Sequence, residues 1–479
     1  MRCLLIGAYT ALAFCTGQSN AQRTYGGSKP NIILIVADDL GYGDLGCYGQ
    51  QKIATPQIDK LASAGLKFTQ FYAGTSVCAP SRASLMTGLH TGHTAIRGNR
   101  GFKPEGQYPL PADAVTMPQL LQEVGYSTTA FGKWGMGYPG STGVPEKQGF
   151  ENFYGYLCQS LAHNYYPDHL WKNGTRVELP FNIGRDSLYS GDDIHSHALS
   201  FINAPHDAPY FLFLPYTLPH GDLDLPRDSV YGNYVKQFGE DSVKTPVKLR
   251  GPNDRHQPYP HAAFAAMVSR LDKYVGEIVS AVKASGMANN TLIIFTSDNG
   301  PHREDGADPE FFNGSGGLRG IKRDLYEGGI RVPFIAYWPG TIKPGTTHQT
   351  GAFWDLLPTF MQLSGVPINK DKTDGLSLVP TLLAQGKQAQ HPFFYWEFHE
   401  NNGRQAVRMG KWKGVVYDAG LQAPKPMQLF DLEKDPFEKN DIAAQYPKVT
   451  EEIRQIMQRE HRPQKDWPLL YNEQPNARQ

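Results

Sequence analysis

The sequence carries no surplus of charge. Lys+Arg and Asp+Glu both number 46, so the formal net charge is zero. This balance argues against a broad electrostatic grip on nucleic acid. Cysteine is scarce: five in 479 residues, too few for a disulfide framework. Cys3 and Cys15 stand in the N-terminal stretch, which leaves Cys47, Cys78 and Cys158. That remainder is odd, and a Cys47–Cys158 bridge, which spacing does not establish, would leave Cys78 alone. Beyond the N-terminus no run is long and apolar enough to cross a bilayer, so no membrane span is expected. What the chain has in quantity is Gly (50), Pro (36) and aromatics (12%). These point to many turns and long loops on a rigid scaffold, the usual place for a site.

The first residues, "MRCLLIGAYTALAFCTGQSNAQ", combine Arg2, an apolar stretch from Cys3 to Phe14 and small residues at Ser19–Ala21. This pattern predicts a signal peptide over 1–21 and an exported protein, periplasmic or secreted. Asn173, Asn289 and Asn313 open N-x-[ST] sequons, which matter only in a host that glycosylates.

Three β-branched, apolar runs, "NIILIVA" (31–37), "PYFLFLPY" (209–216) and "TLIIFTSDNG" (291–300), suit strands buried on both faces. Helical patterns lie between them. "TPQIDKLASAG" (55–65) has Thr55 as cap, Pro56 at the first turn and Gly65 as stop. "AVTMPQLLQEVGY" (114–126) repeats that pattern, and a long amphipathic helix covers 262–286. The alternation predicts an α/β fold, a large sheet sandwiched by helices. After about residue 370 shorter strand-like pieces follow, then a helix near 447–460. The expected domains are 28–370, which carries the chemistry, and a smaller antiparallel α+β subdomain over 371–475.

The first strand runs into "DDLGYGDLG". Gly41, Gly43 and Gly46 fit G-x-G-x-x-G, with Asp59 at the distance of the acidic partner in a dinucleotide fingerprint. Asp38 and Asp39 stand just before those glycines and would repel a pyrophosphate. In open α/β sheets ligands sit beyond strand carboxyl ends. Asp38-Asp39 and Asp298-Asn299 can therefore meet at one site, with a pyrophosphate or a metal as the two readings of the turn and its glycines expected to bend the backbone tightly around the ligand. "SVCAPSRASLMTGLHTGH" (76–93) opens a predicted helix at Ser81, and Cys78 near that helix start, beside Arg82, is expected to have a lowered pKa.

Cys78-Ala79-Pro80-Ser81-Arg82 followed by Met86-Thr87-Gly88 resembles the signature of the formylglycine-dependent sulfatases, in the alkaline-phosphatase-like superfamily. The resemblance continues in "GKWGMG" (132–137), "LPHGD" (218–222), "TSDNGP" (296–301) and "LRGIKRDLYEGGIRVPFIAYWPG" (318–340). It implies that a maturation enzyme oxidises Cys78 to Cα-formylglycine, and that Ca²⁺ is held by Asp38, Asp39, residue 78, Asp298 and Asn299. All are hard oxygen donors once Cys78 is converted. It further implies that Arg82 holds the hydrated aldehyde, that Lys133 and Lys322 bind sulfate and that His220 protonates the leaving oxygen.

One departure stands out. The family's Lys-Trp-His-Leu-Gly is here Lys133-Trp134-Gly135-Met136-Gly137, so a histidine that normally contacts the hydrate is missing. His163 and His302 are candidate replacements, with His302 favoured as substrate-facing because it follows the ligands Asp298-Asn299. Arg97 and His399 complete the expected substrate contacts. The variant resembles exported bacterial carbohydrate sulfatases and implies a sulfated carbohydrate substrate, exo-acting cleavage of a galactose or N-acetylgalactosamine 4-sulfate being the reading taken. The alternatives are a formylglycine-dependent phosphate or phosphonate ester hydrolase, and a non-catalytic protein that binds sulfated glycan. A two-zinc phosphatase is disfavoured, since Asp193-x-x-x-His197 falls on an amphipathic helix.

Overall fold

The computed structural model describes residues 29–241, 246–251, 253–365 and 370–474, and the expected signal peptide over 1–21 lies outside them. The apolar run at 31–37 becomes β1 (Asn31–Ala37), buried at every residue. Ile33, Ile35 and Ala37 face one core, while Ile32, Leu34 and Val36 face another, as the two-residue period of a strand requires. Each fully buried Ile or Leu contributes about 1.5–3 kcal/mol. The unbroken apolar run is thus the mark of a strand with cores on both faces.

Along the chain follow β2 (Leu66–Tyr72), β3 (Ser127–Lys133), β4 (Asn152–Tyr156), β5 (His169–Lys172), β6 (Thr175–Glu178) and β7 (Tyr210–Pro215). Then come the short ladder β8 (Val247–Lys248) and β9 (His256–Gln257), and β10 (Thr291–Ser297), β11 (Arg331–Tyr337) and β12 (Gly345–Ala352). Ten strands form one sheet in the order β12-β2-β11-β10-β1-β7-β3-β4-β5-β6. Its centre, β10-β1-β7-β3-β4, is parallel, while β11, β5 and β6 run antiparallel to their inner neighbours.

The helices lie close to where the sequence puts them. One spans Pro56–Ala64 after Thr55 and ends at Gly65. Another, Met117–Glu123, closes a capping box between Thr116 and Gln119. The long helix is Pro260–Ala284. Asp193 and His197 lie on the helix Ser190–Asn203, where Asp193 accepts from Tyr154 and His197 packs on that ring.

The second sheet is antiparallel: β13 (Phe394–Phe398), β14 (Arg404–Met409), β15 (Trp412–Tyr417) and β16 (Gln428–Asp431). One face packs its Phe394, Trp396, Ala406 and Val415 against Tyr72, Val77, Leu325 and Trp354 of the larger part. The other takes Ile453, Ile456 and Met457 of the helix Pro447–Glu460. Leu378, Val379, Leu382 and Leu383 belong to the large sheet's core, which therefore extends past residue 370.

A buried ionic knot joins the two sheets. Glu327 accepts from Tyr72 Oη at 2.7 Å and Lys413 Nζ at 2.8 Å, and Lys413 also lies 3.2 Å from Glu438 Oε1. Glu327, Lys413 and Glu438 are fully buried, so one lysine serves two carboxylates away from water. Lys413→Met leaves Glu438 without a cation and Glu327 with only Arg331 at 3.4 Å, and is expected to cost about 3–5 kcal/mol in urea unfolding. A loss under about 1 kcal/mol would show that the lysine does not hold the sheets together.

Candidate active site

β1 and β10 are parallel neighbours with Ala37 paired to Ser297, so the next residues leave both strands at one level. Asp298 N donates to Ala37 O at 3.0 Å, Asp39 N to Asp298 Oδ1 at 3.1 Å and Leu40 N to Ser297 Oγ at 3.0 Å. Asp39 holds the left-handed region at φ 63°, which Asp adopts more readily than most residues. Asp38, Asp39, Asp298 and Asn299 are all fully buried.

The helix that opens on Cys78 is Cys78–Thr87, three residues longer at its start than predicted. Ser81 Oγ donates to Asp298 O at 2.6 Å, and Asn99 Oδ1 accepts from Ala79 N at 3.2 Å, satisfying one orphan amide of the first turn. Cys78 Sγ lies 3.4 Å from Asp38 Oδ1 and 3.5 Å from Lys133 Nζ. The expected lowering of its pKa is overturned. Burial first, and the neighbouring Asp38 next, push the thiol well up, while Arg82 is engaged elsewhere. The side chain as a thiol is therefore a poor nucleophile.

Three cations face the three aspartates. Arg82 donates from Nε to Asp298 Oδ2 at 2.9 Å, and its Nη2 lies 2.8 Å from Asp298 Oδ2 and 3.4 Å from Asp38 Oδ2. Its Nη1 donates to the carbonyl of Lys133. Arg82 thus braces carboxylates and backbone. Lys133 Nζ donates to Asp38 Oδ2 at 2.6 Å. Lys322 Nζ donates to Asp39 Oδ2 at 2.7 Å and Glu304 Oε2 at 3.0 Å. Burial opposes both lysine charges, but the acidic neighbours together, Asp38 foremost at Lys133 and Asp39 at Lys322, outweigh it and hold the ammonium forms. Burial and then Asp38 push the Asp298 carboxyl up to about 7.

His220, on the segment after β7, places Nε2 at 3.5 Å from Asp39 Oδ2. Burial, then Lys133 and Lys322, push its pKa well down, so it stays neutral until an anion offsets the lysines. The His163 ring packs 4.3 Å from it. His302 does not match its expected role. Its Nε2 is 3.2 Å from Pro219 O and its Nδ1 accepts from Glu304 N at 3.2 Å, so backbone takes both nitrogens.

Other expectations change as well. Arg97 is fully buried, with four N–H contacts, to Thr94 O, Gly92 O, Arg462 O and Glu397 Oε2, and serves the packing of loops rather than a substrate. His399 also bonds Glu397, through Nε2 at 2.8 Å, and lines a cavity of about 440 Å³ with Glu400, Asn402 and Trp467. Gly41 and Gly43 make room for a chain segment instead of an ion: a Cβ on either would lie 2.2–2.3 Å from the carbonyls of Gly314 and Asn313. Asp59 accepts from Cys47 N and Thr55 Oγ1, which accounts for its place without a nucleotide. Cys47 and Cys158 are free thiols.

Sequence reasoning missed Glu304, Asn99 and Gln159. Glu304 lies five residues past Asn299 in one loop, a proximity that was there to be used. Gln159 gives no such signal. It fills the space over Gly135, where a Cβ would meet its Nε2 at 2.5 Å, and both its amide atoms are buried without partners.

The arrangement suits a hard divalent cation. Asn299 donates through Nδ2 to Asp39 Oδ1 at 2.7 Å, while its Oδ1 is buried with no donor. Carboxylate and amide oxygens converging on one spot are the donor set of calcium or magnesium. With Glu304 on Lys322, four carboxylates face three cations, so a divalent ion would leave the site net positive and raise its affinity for an anion.

The sulfatase family model matches residues 30–366, and a second model, described as the C-terminal part of N-sulphoglucosamine sulphohydrolase, matches 320–464. The chain belongs to the sulfatase family. It is a sulfuric ester hydrolase. This sulfatase is similar to arylsulfatase A of Homo sapiens, 34% identical over 89% of this chain and 87% of that one. It is also similar to the N-acetylgalactosamine-6-O-sulfatase of Bacteroides thetaiotaomicron, 29% identical over 95% and 97% of the two chains. Among solved structures, Ps i-CgsB in complex with k-i-k-neocarrahexaose superposes with a TM-score of 0.76 at 29% identity, covering 93% of this chain and 96% of that one.

Calcium is expected to raise the melting temperature of this sulfatase by several degrees, and to do so far less in Asn299→Leu, which loses the unpartnered oxygen. Equal shifts in both proteins would remove Asn299 from the ligand set.

Proposed function

We propose that this sulfatase is exported, is matured at Cys78 to Cα-formylglycine by a formylglycine-generating enzyme, and hydrolyses a sulfate ester on a galactose- or N-acetylgalactosamine-type sugar. The observation that carries the reading is Cys78 Sγ between Asp38 and Lys133, against a buried set of oxygen donors flanked by three cations. A plain thiol is ill suited to that place. Bound calcium, with formylglycine at residue 78, would supply there a polarised oxygen nucleophile in place of sulfur. Asp38, Asp39, Asp298, Asn299 and residue 78 would hold the ion.

The chain's own groups perform the rest. Lys133 and Lys322 hold the sulfate oxygens and neutralise charge that shifts as the ester bond breaks. Arg82 keeps Asp38 and Asp298 in place. The anionic ester offsets the lysines, so His220 takes up a proton and delivers it to the departing sugar oxygen, whose alkoxide is too basic to leave unaided. Glu304 orients Lys322. Gly135 leaves that position without a histidine, and His302 does not fill it, since backbone engages both of its nitrogens.

A sugar substrate is supported by relatives named for N-acetylgalactosamine 6-sulfate and solved with a neocarrahexaose. The first of these favours the 6-sulfate as a second reading beside the 4-sulfate. The ordered test begins with mass spectrometry of the tryptic peptide Phe68–Arg82 from the native source, where loss of sulfur and gain of one oxygen at Cys78 are expected. A thiol throughout would remove the nucleophile and favour glycan binding without catalysis. On matured protein, 4- and 6-sulfates of galactose and N-acetylgalactosamine are then compared with the phosphate ester of the same alcohol, and faster phosphate cleavage would overturn the assignment.

His220→Ala is expected to lower kcat/KM on the sugar sulfate at least about a hundredfold more than on 4-nitrophenyl sulfate, whose leaving group needs no proton. Equal losses would show that His220 is not the acid.

A further inference from the structure

Beside His220, three segments meet: the loop after β4, the turn after β7 and the loop after Asn299. Each brings one metal-ligating side chain, His163, Asp222 and Asp305, whose ligand atoms all lie within 4.8 Å of one another. His163 Nδ1, Asp222 Oδ1 and Asp305 Oδ2 are closed to solvent, and none makes a hydrogen bond. His163 Nδ1 stands 3.9 Å from Asp222 Oδ1, beyond hydrogen-bond reach. Asp222 is only 1% exposed, and its other oxygen accepts from the Arg250 amide, which fixes the carboxylate plane. Asp305 holds a left-handed φ of 55°, with Oδ2 over Gly221, where a Cβ would lie 2.3 Å away. Only glycine at 221 lets that oxygen reach the cluster. Arg250 Nη1 approaches Asp222 Oδ1 to 3.3 Å, outside hydrogen-bond geometry and from a half-exposed side chain.

Carboxylate oxygens only accept, so two of them facing each other without a donor repel. A gap closed to water but lined by two carboxylate oxygens and an imidazole nitrogen suits a bare cation. We propose that His163, Asp222 and Asp305 form a second metal site, separate from the Asp38/Asp39/Asp298/Asn299 set, that takes a divalent first-row ion such as Zn²⁺ or Mn²⁺. The imidazole nitrogen decides against calcium, which prefers oxygen donors throughout. An ion there ties the three segments together, and ligation at Nδ1 places the His163 proton on Nε2. The site therefore fixes both the position and the tautomer of the ring that packs on His220.

The test uses the full chain, freed of metal, then dialysed with excess Ca²⁺ and either Zn²⁺ or Mn²⁺, with bound metal counted by elemental analysis. One equivalent of the transition metal is expected in wild type and in Asp298→Asn. Affinity is expected to fall at least tenfold in Asp305→Asn and Asp222→Asn. Asn tolerates the left-handed backbone at 305, so that variant keeps its fold. A melting-temperature rise with Zn²⁺ in wild type, lost in the two variants, is the second expected readout. No stoichiometric metal in wild type would overturn the proposal and leave a shared proton or a water in the gap. Undiminished metal in both variants would overturn it too, and would point to His90, His93 and Asp374, which form another group of ligands. Neither readout depends on catalysis, so this inference and the sulfatase mechanism stand or fall separately.

Discussion

Asp38 and Asp298 leave adjacent parallel strands at one level, and their buried carboxylates stay close because Arg82 bridges them while Lys133 pairs with Asp38. That single guanidinium sets much of the rest. It draws the nucleophile helix onto the ends of β1 and β10, and it holds the carbonyl of Lys133 so that the ammonium of the same residue reaches Asp38. Arg82 pairs with Asp298 and Asp38, Lys133 with Asp38 and Lys322 with Asp39. Burial makes every one of these interactions strong and every unpaired member costly. The site is consequently rigid before any substrate arrives.

The second sheet is part of the same construction. Its aromatic face shares a core with Tyr72 and Val77, and Val77 immediately precedes Cys78. The knot of Glu327, Lys413 and Glu438 secures that contact through the hydroxyl of the same Tyr72. The position of the nucleophile helix thus depends on packing from the C-terminal third of the chain as well as on the large sheet. The cavity beside His399 and Trp467 lies on this seam, one hydrogen-bonded link, Glu400 to Asn99, from the residue after Cys78.

Much of this was legible in the sequence. Apolar runs marked β1, β7 and β10, because a strand buried on both faces is apolar along most of its length. Thr55-Pro56 and Thr116 marked helix starts, because caps use local chemistry. The order of Cys78, Arg82, Lys133, His220, Asp298 and Lys322 marked the family. Less legible were roles set by partners far along the chain. Gly41 and Gly43 looked like a ligand cradle, but residues 313–316 press on them. Arg97 looked like a sugar contact, but Glu397 and Arg462, about 300 residues and more away, take it. His302 looked substrate-facing from its place after Asn299, but the chain turns its nitrogens onto the backbone of Pro219 and Glu304.

Sequence alone determined the main buried strands, several helix starts and the family, since these follow from local patterning and from residue types in a fixed order. Tertiary structure alone decided the protonation and the partners of those residues. The Cys78 thiol is raised rather than lowered, because burial and Asp38 act on it while Arg82 is turned to Asp298. Gln159 fills the space over Gly135, and His163, Asp222 and Asp305 meet at one point. None of these has a local signature, because electrostatic and steric neighbours in a folded chain are set by the crossing of strands and loops, which composition and spacing do not encode.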